Sequence, residues 1–392
     1  MSTFVPLHKV AEVNPRLKAG SLPLDAPVSF IPMSAVSELT KKIVSADARS
    51  YAEVKTGYTY FEEGDVIVAK ITPCFENGKM ALVYNLPHSI AFGSTEFHVF
   101  RAGEKILNSY LFHFLQSPKV QSSGATQMKG AAGQKRVPAD YYKTLQIPLP
   151  PLPEQKRIAA ILDATDAMRA KRRESLRQLD LLLQSTFLDM FGNPVTNPKE
   201  WKVAKFQSIG SSRLGKMLDK GKQIGNSQFP YLANFNVQWG RLELSDLRYM
   251  DFSEDDREEF SLKAGDVLIC EGGEVGRTAI WRGERHNVYF QKALHRVRLN
   301  QKLSIPEYIQ YFMWFMAKNG GFKDFTTSAT IAHLTGAKLK TLPVPLPPLD
   351  LQIRFATIVE AVEKQKDRLR AHLAELDTLF ASLQHRAFNG EL

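Results

Sequence analysis

The chain repeats itself, and any fold it adopts has to contain two copies of one plan. Ile147-Pro148-Leu149-Pro150-Pro151-Leu152-Pro153-Glu154-Gln155 aligns without gaps to Val344-Pro345-Leu346-Pro347-Pro348-Leu349-Asp350-Leu351-Gln352, a spacing of about 197 positions. The match continues: Arg157 pairs with Arg354, Leu176 with Leu373, Leu179-Asp180 with Leu376-Asp377, and Phe191 with Phe388. Upstream, His98-Val99-Phe100-Arg101 faces His295-Arg296-Val297-Arg298, and Gly64-Asp65-Val66 resembles Gly265-Asp266-Val267 at slightly longer spacing. Chance can supply a shared Pro-Leu-Pro-Pro-Leu; it does not sustain a match over about 45 residues, so the chain is a duplication.

Each copy has three parts. A block with short apolar runs between Gly, Pro and Asn punctuation, such as Asp65–Ala69, Phe97–Phe100, Asp266–Cys270 and Leu294–Leu299, predicts strands. Short amphipathic helices are expected near Tyr110–Leu115 and Tyr308–Phe315. The prolines then stop the last strand and launch a long helix. In the second copy apolar residues recur at Phe355, Ile358, Val359, Val362, Leu369, Leu373, Leu376, Leu379, Phe380 and Leu383. In the first they recur at Ile158, Ile161, Leu162, Met168, Leu176, Leu179, Leu182 and Leu183, with Arg172 interrupting the stripe. One such stripe is ordinarily a core helix; two equivalent ones, each following an equivalent block, point to helices that pack on one another as a coiled coil.

The expected fold is α+β: two pseudo-two-fold-related mixed α/β domains separated by a pair of long antiparallel coiled-coil helices. The expected segments are a first domain over 1–147, a proline turn and spacer helix over 148–192, a second domain over 193–344, and a second turn and helix over 345–392. A helix of about 35 residues is roughly 50 Å long, which suits a spacer between two heads, since two-fold DNA readers set their recognition elements about 34–36 Å apart or a multiple of it.

Composition narrows the partners. A hydrophobic fraction of 44% supports real cores, and the formal charge of +10 favours polyanions, nucleic acid first, although a merely basic protein would show the same balance. No apolar run reaches the ~18 residues of a membrane span. Met1-Ser2-Thr3-Phe4-Val5-Pro6 lacks a basic-then-apolar signal pattern, so a cytoplasmic protein is expected. Cys74 and Cys270 stand far apart, which fits neither a zinc site nor a disulfide framework.

Catalytic signatures are missing. The Asn-Pro pairs at 14, 193 and 197 lack the Asn/Asp-Pro-Pro-aromatic pattern of an adenine methyltransferase, and no GxGxxG follows a strand. Gly272-Gly273-Glu274-Val275-Gly276-Arg277-Thr278 lacks the lysine and spacing of a phosphate loop and reads as a tight backbone turn. Glu53-Val54-Lys55 with Asp47 has a nuclease-like spacing, but nothing comparable recurs in the second copy. The nine histidines show no ligand spacing. No catalytic residue and no metal site are expected.

With these features the chain resembles the specificity subunits of Type I restriction-modification systems over nearly its whole length. The resemblance is carried by the duplicated proline turn and helix, by Gly64–Lys79 and Gly265–Trp281, and by the closing Arg386-Ala387-Phe388-Asn389-Gly390-Glu391-Leu392. It implies a non-catalytic DNA reader with two target-recognition domains, each reading half of a bipartite double-stranded site. It further implies two modification subunits bound to the helices and carrying S-adenosylmethionine, and restriction motor-nuclease subunits using ATP and Mg. A chain that starts almost directly in the first recognition domain is expected to have no added N-terminal function. A specificity subunit of a related non-Type I system, a stand-alone DNA-modifying enzyme and a coiled-coil adaptor are the rival readings. DNA contacts are expected, on donor chemistry and glycine-rich loops, from Lys70, Thr72, Asn77, Lys79, Lys129, Gln134, Lys135 and Arg136 in the first copy. In the second they are expected from Arg277, Arg282, Gln291, Lys292, Arg296, Thr330 and His333; for any single one, a phosphate contact or a solvated side chain is commoner than base reading. Partner docking is expected at Met168, Leu176, Leu183, Leu376 and Phe380. The run Arg169–Arg173 reads first as a solvated helix face.

Overall fold

In the computed structural model, the structure describes residues 3–18, 20–131, 133–219, 221, 225–325 and 333–392. The chain divides into two compact units: Met1–Ser175 with Leu369–Leu392, and Leu176–Arg368. Each unit therefore takes one globular block together with part of both long helices, which run over Leu152–Phe191 and Leu349–Asn389. The helical segments drawn from the sequence are thus shared, half by half, between the units.

In the first unit the apolar run Val66–Ala69 is buried along its whole length because it is covered on both faces. It lies inside a four-stranded antiparallel sheet ordered Ala11–Val13, Phe97–Ala102, Val66–Ala69, Met80–Leu82. Val66, Val68 and Phe100 pack on one side with Tyr110, Leu111 and Leu115 of the helix Asn108–Gln116. Ile67 and Val99 pack on the other side with Phe61 and Ala91, which belong to a second sheet ordered Asp47–Ser50, Pro27–Ile31, Ile90–Gly93, Thr59–Glu62. The second unit repeats the plan with Gly210–Leu214, Leu294–Leu299, Val267–Cys270 and Thr278–Ile280, backed by Arg248–Asp251, Gln228–Leu232 and Tyr289–Phe290 and by the helix Pro306–Lys318.

The repeated motifs are repeated hydrogen bonds. Gln155 and Gln352 are both fully buried. Gln155 accepts from Leu107 N and donates to the Lys105 and Pro150 carbonyls; Gln352 accepts from Ile305 N and donates to the Leu303 and Pro347 carbonyls. A glutamine is required because only an amide supplies acceptor and two donors in one plane. The Gly-Asp-Val motif is equally functional within the fold. Gly64 and Gly265 each take φ +91°, the aspartate after each accepts from a turn amide, and Arg101 and Arg298 grip those aspartates at 2.9 and 2.8 Å.

The long helices are seamed, but not entirely by the expected residues. In the first unit Ile158 and Leu162 share a core with Phe380, Ala387 and Phe388, so these stretches run antiparallel. In the second, Leu183, Phe187 and Phe191 meet Phe355, Val359 and Val362 in the same sense. Met168, Leu182, Ile358 and Leu379 of the predicted stripes point outward instead. Buried Thr165 and half-buried Arg169 and Arg172 take the heptad places of the first helix, and buried Lys366 takes one in the second. The central helix ends at Phe191, with Gly192 at φ +77°, as its Gly-then-Pro sequence predicts.

Candidate nucleic-acid interface

In the first unit two loops that are distant in sequence are stitched into one surface. Lys70 N donates to Glu96 O at 2.8 Å, Val137 N to Lys70 O at 2.9 Å, and Thr72 N to Lys135 O at 3.0 Å. Lys129 and Arg136 exchange both backbone bonds, closing a hairpin around Gly130 (φ +128°) and Gly133 (φ +82°). All eight candidates from the first copy thereby fall on the linked segments 70–79 and 129–136.

Their side chains are not equally available. Arg136 makes a forked pair with Glu96 at 2.8–3.1 Å, and this bond holds the Glu96 carboxyl below the usual range and raises the guanidinium. Lys79 donates to Met33 O and lies 3.5 Å from Glu38, Asn77 donates to Glu38, and the Thr72 hydroxyl donates to Glu76. Lys70, Lys129 and Lys135 make no ion pair with a described residue, and their ammonium groups are the free cations of this surface.

A brace holds the loop from behind. Lys41 (φ 53°) donates its ammonium to the Gly78 and Asn77 carbonyls, while Glu38 receives Asn77 and Lys79. Burial pushes the Lys41 amine below its ordinary value. Sequence reasoning passed over Glu38 and Lys41 because nothing local distinguishes them from a solvated acid and base.

The second unit builds the equivalent surface with the same bonds and different side chains. Glu271 N donates to Ala293 O at 2.9 Å and Leu334 N to Glu271 O at 2.7 Å, duplicating the bonds around Lys70. His98 and His295 donate through Nε2 to the Val137 and Leu334 carbonyls beneath each surface. Lys70, Glu96 and Arg136 thus correspond to Glu271, Ala293 and His333. Lys292 N donates to Lys216 O, which fixes Gln291 and Lys292 beside the loop that opens at Gly215.

The remaining candidates separate. Arg277 donates to Asn234 O at 2.7 Å and stands 3.8 Å from Glu274, so it locks the glycine-rich turn. Arg282 is exposed and pairs with Glu307 at 3.2 Å. Arg296 is buried; its guanidinium lies over Phe290 and donates to the Glu259 and Ser261 carbonyls, so its expected DNA contact is corrected to a core role. His333 sits against Gly272, where an added Cβ would come within 2.7 Å of the ring. Thr330 lies outside the described residues.

Of the docking candidates, Leu183 and Phe380 are buried in the cores of their own units and offer no surface to a partner. Leu176 is half-buried in the second unit. Met168 and Leu376 line an open groove of about 490 Å³ in the first unit, together with Arg172, Ser175, His372 and Leu379. The Arg169–Arg173 run is not simply solvated, because Arg169 and Arg173 bind Asp377. Among the described residues no helix is long and apolar enough to cross a membrane.

Comparison with known proteins agrees with this architecture. The family model described as "Type I restriction modification DNA specificity domain" matches twice, at residues 4–178 and 198–377. The chain is 42% identical over 156 residues to the Type I restriction enzyme EcoAI specificity subunit of Escherichia coli, covering 40% of this chain and 26% of that protein. Its match to the EcoEI specificity subunit likewise spans 26% of that relative's length. It is 26% identical over 330 residues to the EcoKI specificity subunit of Escherichia coli strain K12, covering 79% and 70%. A chain solved in work on complex assembly and conformational transition of the type I R-M system superposes with a TM-score of 0.58 at 22% identity, covering 100% and 98%. The S subunit from M. genitalium gives 0.52 at 13% identity, covering 98% and 96%. At such identities the structures speak for the fold.

Proposed function

The chain belongs to the family of Type I restriction-modification DNA specificity proteins, and we propose that it reads a bipartite double-stranded DNA site, one half with each unit. The observation that carries this reading is the pair of surfaces built on one hydrogen-bond frame with exchanged side chains, Lys70, Glu96 and Arg136 against Glu271, Ala293 and His333. A shared frame fixes where a base edge meets the protein; different side chains make each frame select a different sequence. The chain itself is non-catalytic in this reading. Two modification subunits dock on the long helices and supply S-adenosylmethionine chemistry, and restriction subunits add the ATP- and Mg-dependent motor. Backbone glycines and free lysines hold the phosphates, and the loops present donors and acceptors to the major groove.

The test is co-expression with the cognate modification subunits, followed by mapping of methylated adenines. A split motif with an unread gap is expected. Replacing residues 1–147 with the corresponding block of another family member should change one half of that motif only. A change in both halves, or methyl transfer by the chain alone, overturns the reading.

A further inference from the structure

We propose that Glu271 is a specificity-determining residue that accepts a hydrogen bond from an exocyclic amine, cytosine N4 or adenine N6, in the half-site read by the second unit. The inference rests on the DNA-reading function proposed above and names the base chemistry of one of its surfaces. Glu271 is 9% exposed, yet its carboxylate has no hydrogen bond or ion pair to a described residue. Its backbone is held from both sides, by Ala293 O and Leu334 N, in the frame that presents Lys70 in the other unit. The position is therefore built, and only its charge is reversed.

Among the described residues the acid has no companion. Where the first unit pairs Glu96 with Arg136, the second has Ala293, and the nearby Arg277 is committed to Asn234 O and Glu274. His295 is near enough for the Glu271 charge to bear on it, but its Nε2 is spent on Leu334 O. Gly272 and Gly273 follow directly. Gly273 (φ +76°) has no described atom within 4 Å of where a Cβ would stand, so a base edge can approach without meeting a described side chain there.

Chemistry then selects the ligand. A carboxylate fixed on this frame and left without a donor among the described residues is open to one from a ligand, and phosphates repel it. In the major groove guanine offers only acceptors and thymine an acceptor and a methyl, whereas cytosine and adenine each offer an amine. Glu271 accordingly accepts the second pair of bases and rejects the first.

The experiment uses the full complex with its modification subunits and measures binding to duplexes carrying the mapped site. Each cytosine is replaced in turn by 2-pyrimidinone and each adenine by purine, analogues lacking the amine. The wild type should lose about ten- to hundredfold in affinity at one such position in the second unit's half-site. Glu271→Ala should bind the natural site correspondingly more weakly and be indifferent to amine removal at that position, while keeping its sensitivity in the other half-site, which shows that it is folded. Glu271→Gln, with an amide that can still accept, should retain part of the effect. A wild type without sequence preference sinks the DNA-reading function; a wild type that is selective yet unmoved by amine removal, or a Glu271→Ala variant still penalised at that base, sinks the role of Glu271.

Discussion

Arg169 donates to Asp377 at 2.6 Å across the helix seam of the first unit. The duplication reproduces the pair in the second unit, where Lys366 meets Asp180 at 2.6 Å. The cations stand at heptad places, and each also holds an acid on its own helix, Asp166 or Glu363. Such pairs fix register and direction more than they add stability.

Asp377→Ala should therefore cost only about 1 kcal/mol, because Asp377 is 44% exposed and solvent screens much of the attraction. A small fall in the urea midpoint with unchanged slope is expected. A larger loss should follow from Arg169→Leu combined with Asp377→Arg, which leaves a cation facing an apolar seam and Asp166 without its partner. If the single and double variants unfold alike, the seam pair does not set the register.

The glutamines of the proline turns are more demanding. Gln155→Leu orphans the Pro150 carbonyl, whose bond is buried, and Leu107 N and the Lys105 carbonyl, whose bonds are part-buried; at about 1–3 kcal/mol for the buried group and less for the others this is roughly 2 kcal/mol or more. Gln352→Leu should cost the same in its unit. Thermal melts of the two variants compared with wild type check this, and a shift of less than about 2 °C in either would refute the satisfaction argument.

These pairs show which features the sequence made legible. Strands, turns and long helices follow from local periodicity, and the duplication follows from identity at a fixed offset. The seam was only half readable: Arg169 and Arg172 look like surface residues because the acid that accommodates Arg169 lies on the other helix, at Asp377. The loops of the candidate interface were readable for their glycines and lysines. Their stitching was not, because Lys70 depends on Glu96 and Val137, and Thr72 on Lys135. Arg296 was misread for a related reason, since a basic residue on a strand gives no sign of which side it faces until Phe290 and the Glu259 carbonyl are in place.

Salt dependence separates the free lysines from the paired arginine. If Lys70, Lys129 and Lys135 neutralise phosphates, each alanine variant should lower the slope of log affinity against log salt by about one. Arg136→Ala should weaken binding further than its own charge accounts for, because it also releases Glu96 beside the DNA. Fluorescence anisotropy between 50 and 200 mM salt, roughly the range over which such slopes resolve, distinguishes the cases; slopes unchanged from wild type in the three lysine variants would remove these lysines from the interface.

Gly215 tests the second surface without touching a polar group. An added Cβ would lie 2.4 Å from the Gln291 carbonyl carbon and 2.8 Å from Lys292 N, and backbone cannot yield cheaply. Gly215→Ala should displace the segment carrying Gln291 and Lys292 and reduce DNA affinity at least tenfold, while selectivity for the first unit's half-site persists. Unaltered affinity would mean that this segment does not contact DNA.

The buried histidines predict the acid side of the stability profile. His98 and His295 are held below the ordinary histidine value, chiefly by burial; Lys70 lowers His98 further, while Glu96 and the Val137 carbonyl oppose the shift, as Glu271 and the Leu334 carbonyl do for His295. Because the folded values lie below the unfolded one, the unfolded chain takes up these protons first as pH falls. Their effect is absent above about pH 6.5 and becomes destabilising below it, down to the folded values, with a slope of at most about 1.4 kcal/mol per pH unit for each histidine. Unfolding measured from pH 7.5 to 5 should show this loss, and replacing both histidines with glutamine, which can still donate to the Val137 and Leu334 carbonyls, should flatten it. Glu271→Gln removes an acid that supports the His295 charge, so the His295 titration followed by proton NMR should move to lower pH while that of His98 stays in place. A His295 value unmoved by that substitution would show that the carboxylate does not face the imidazole.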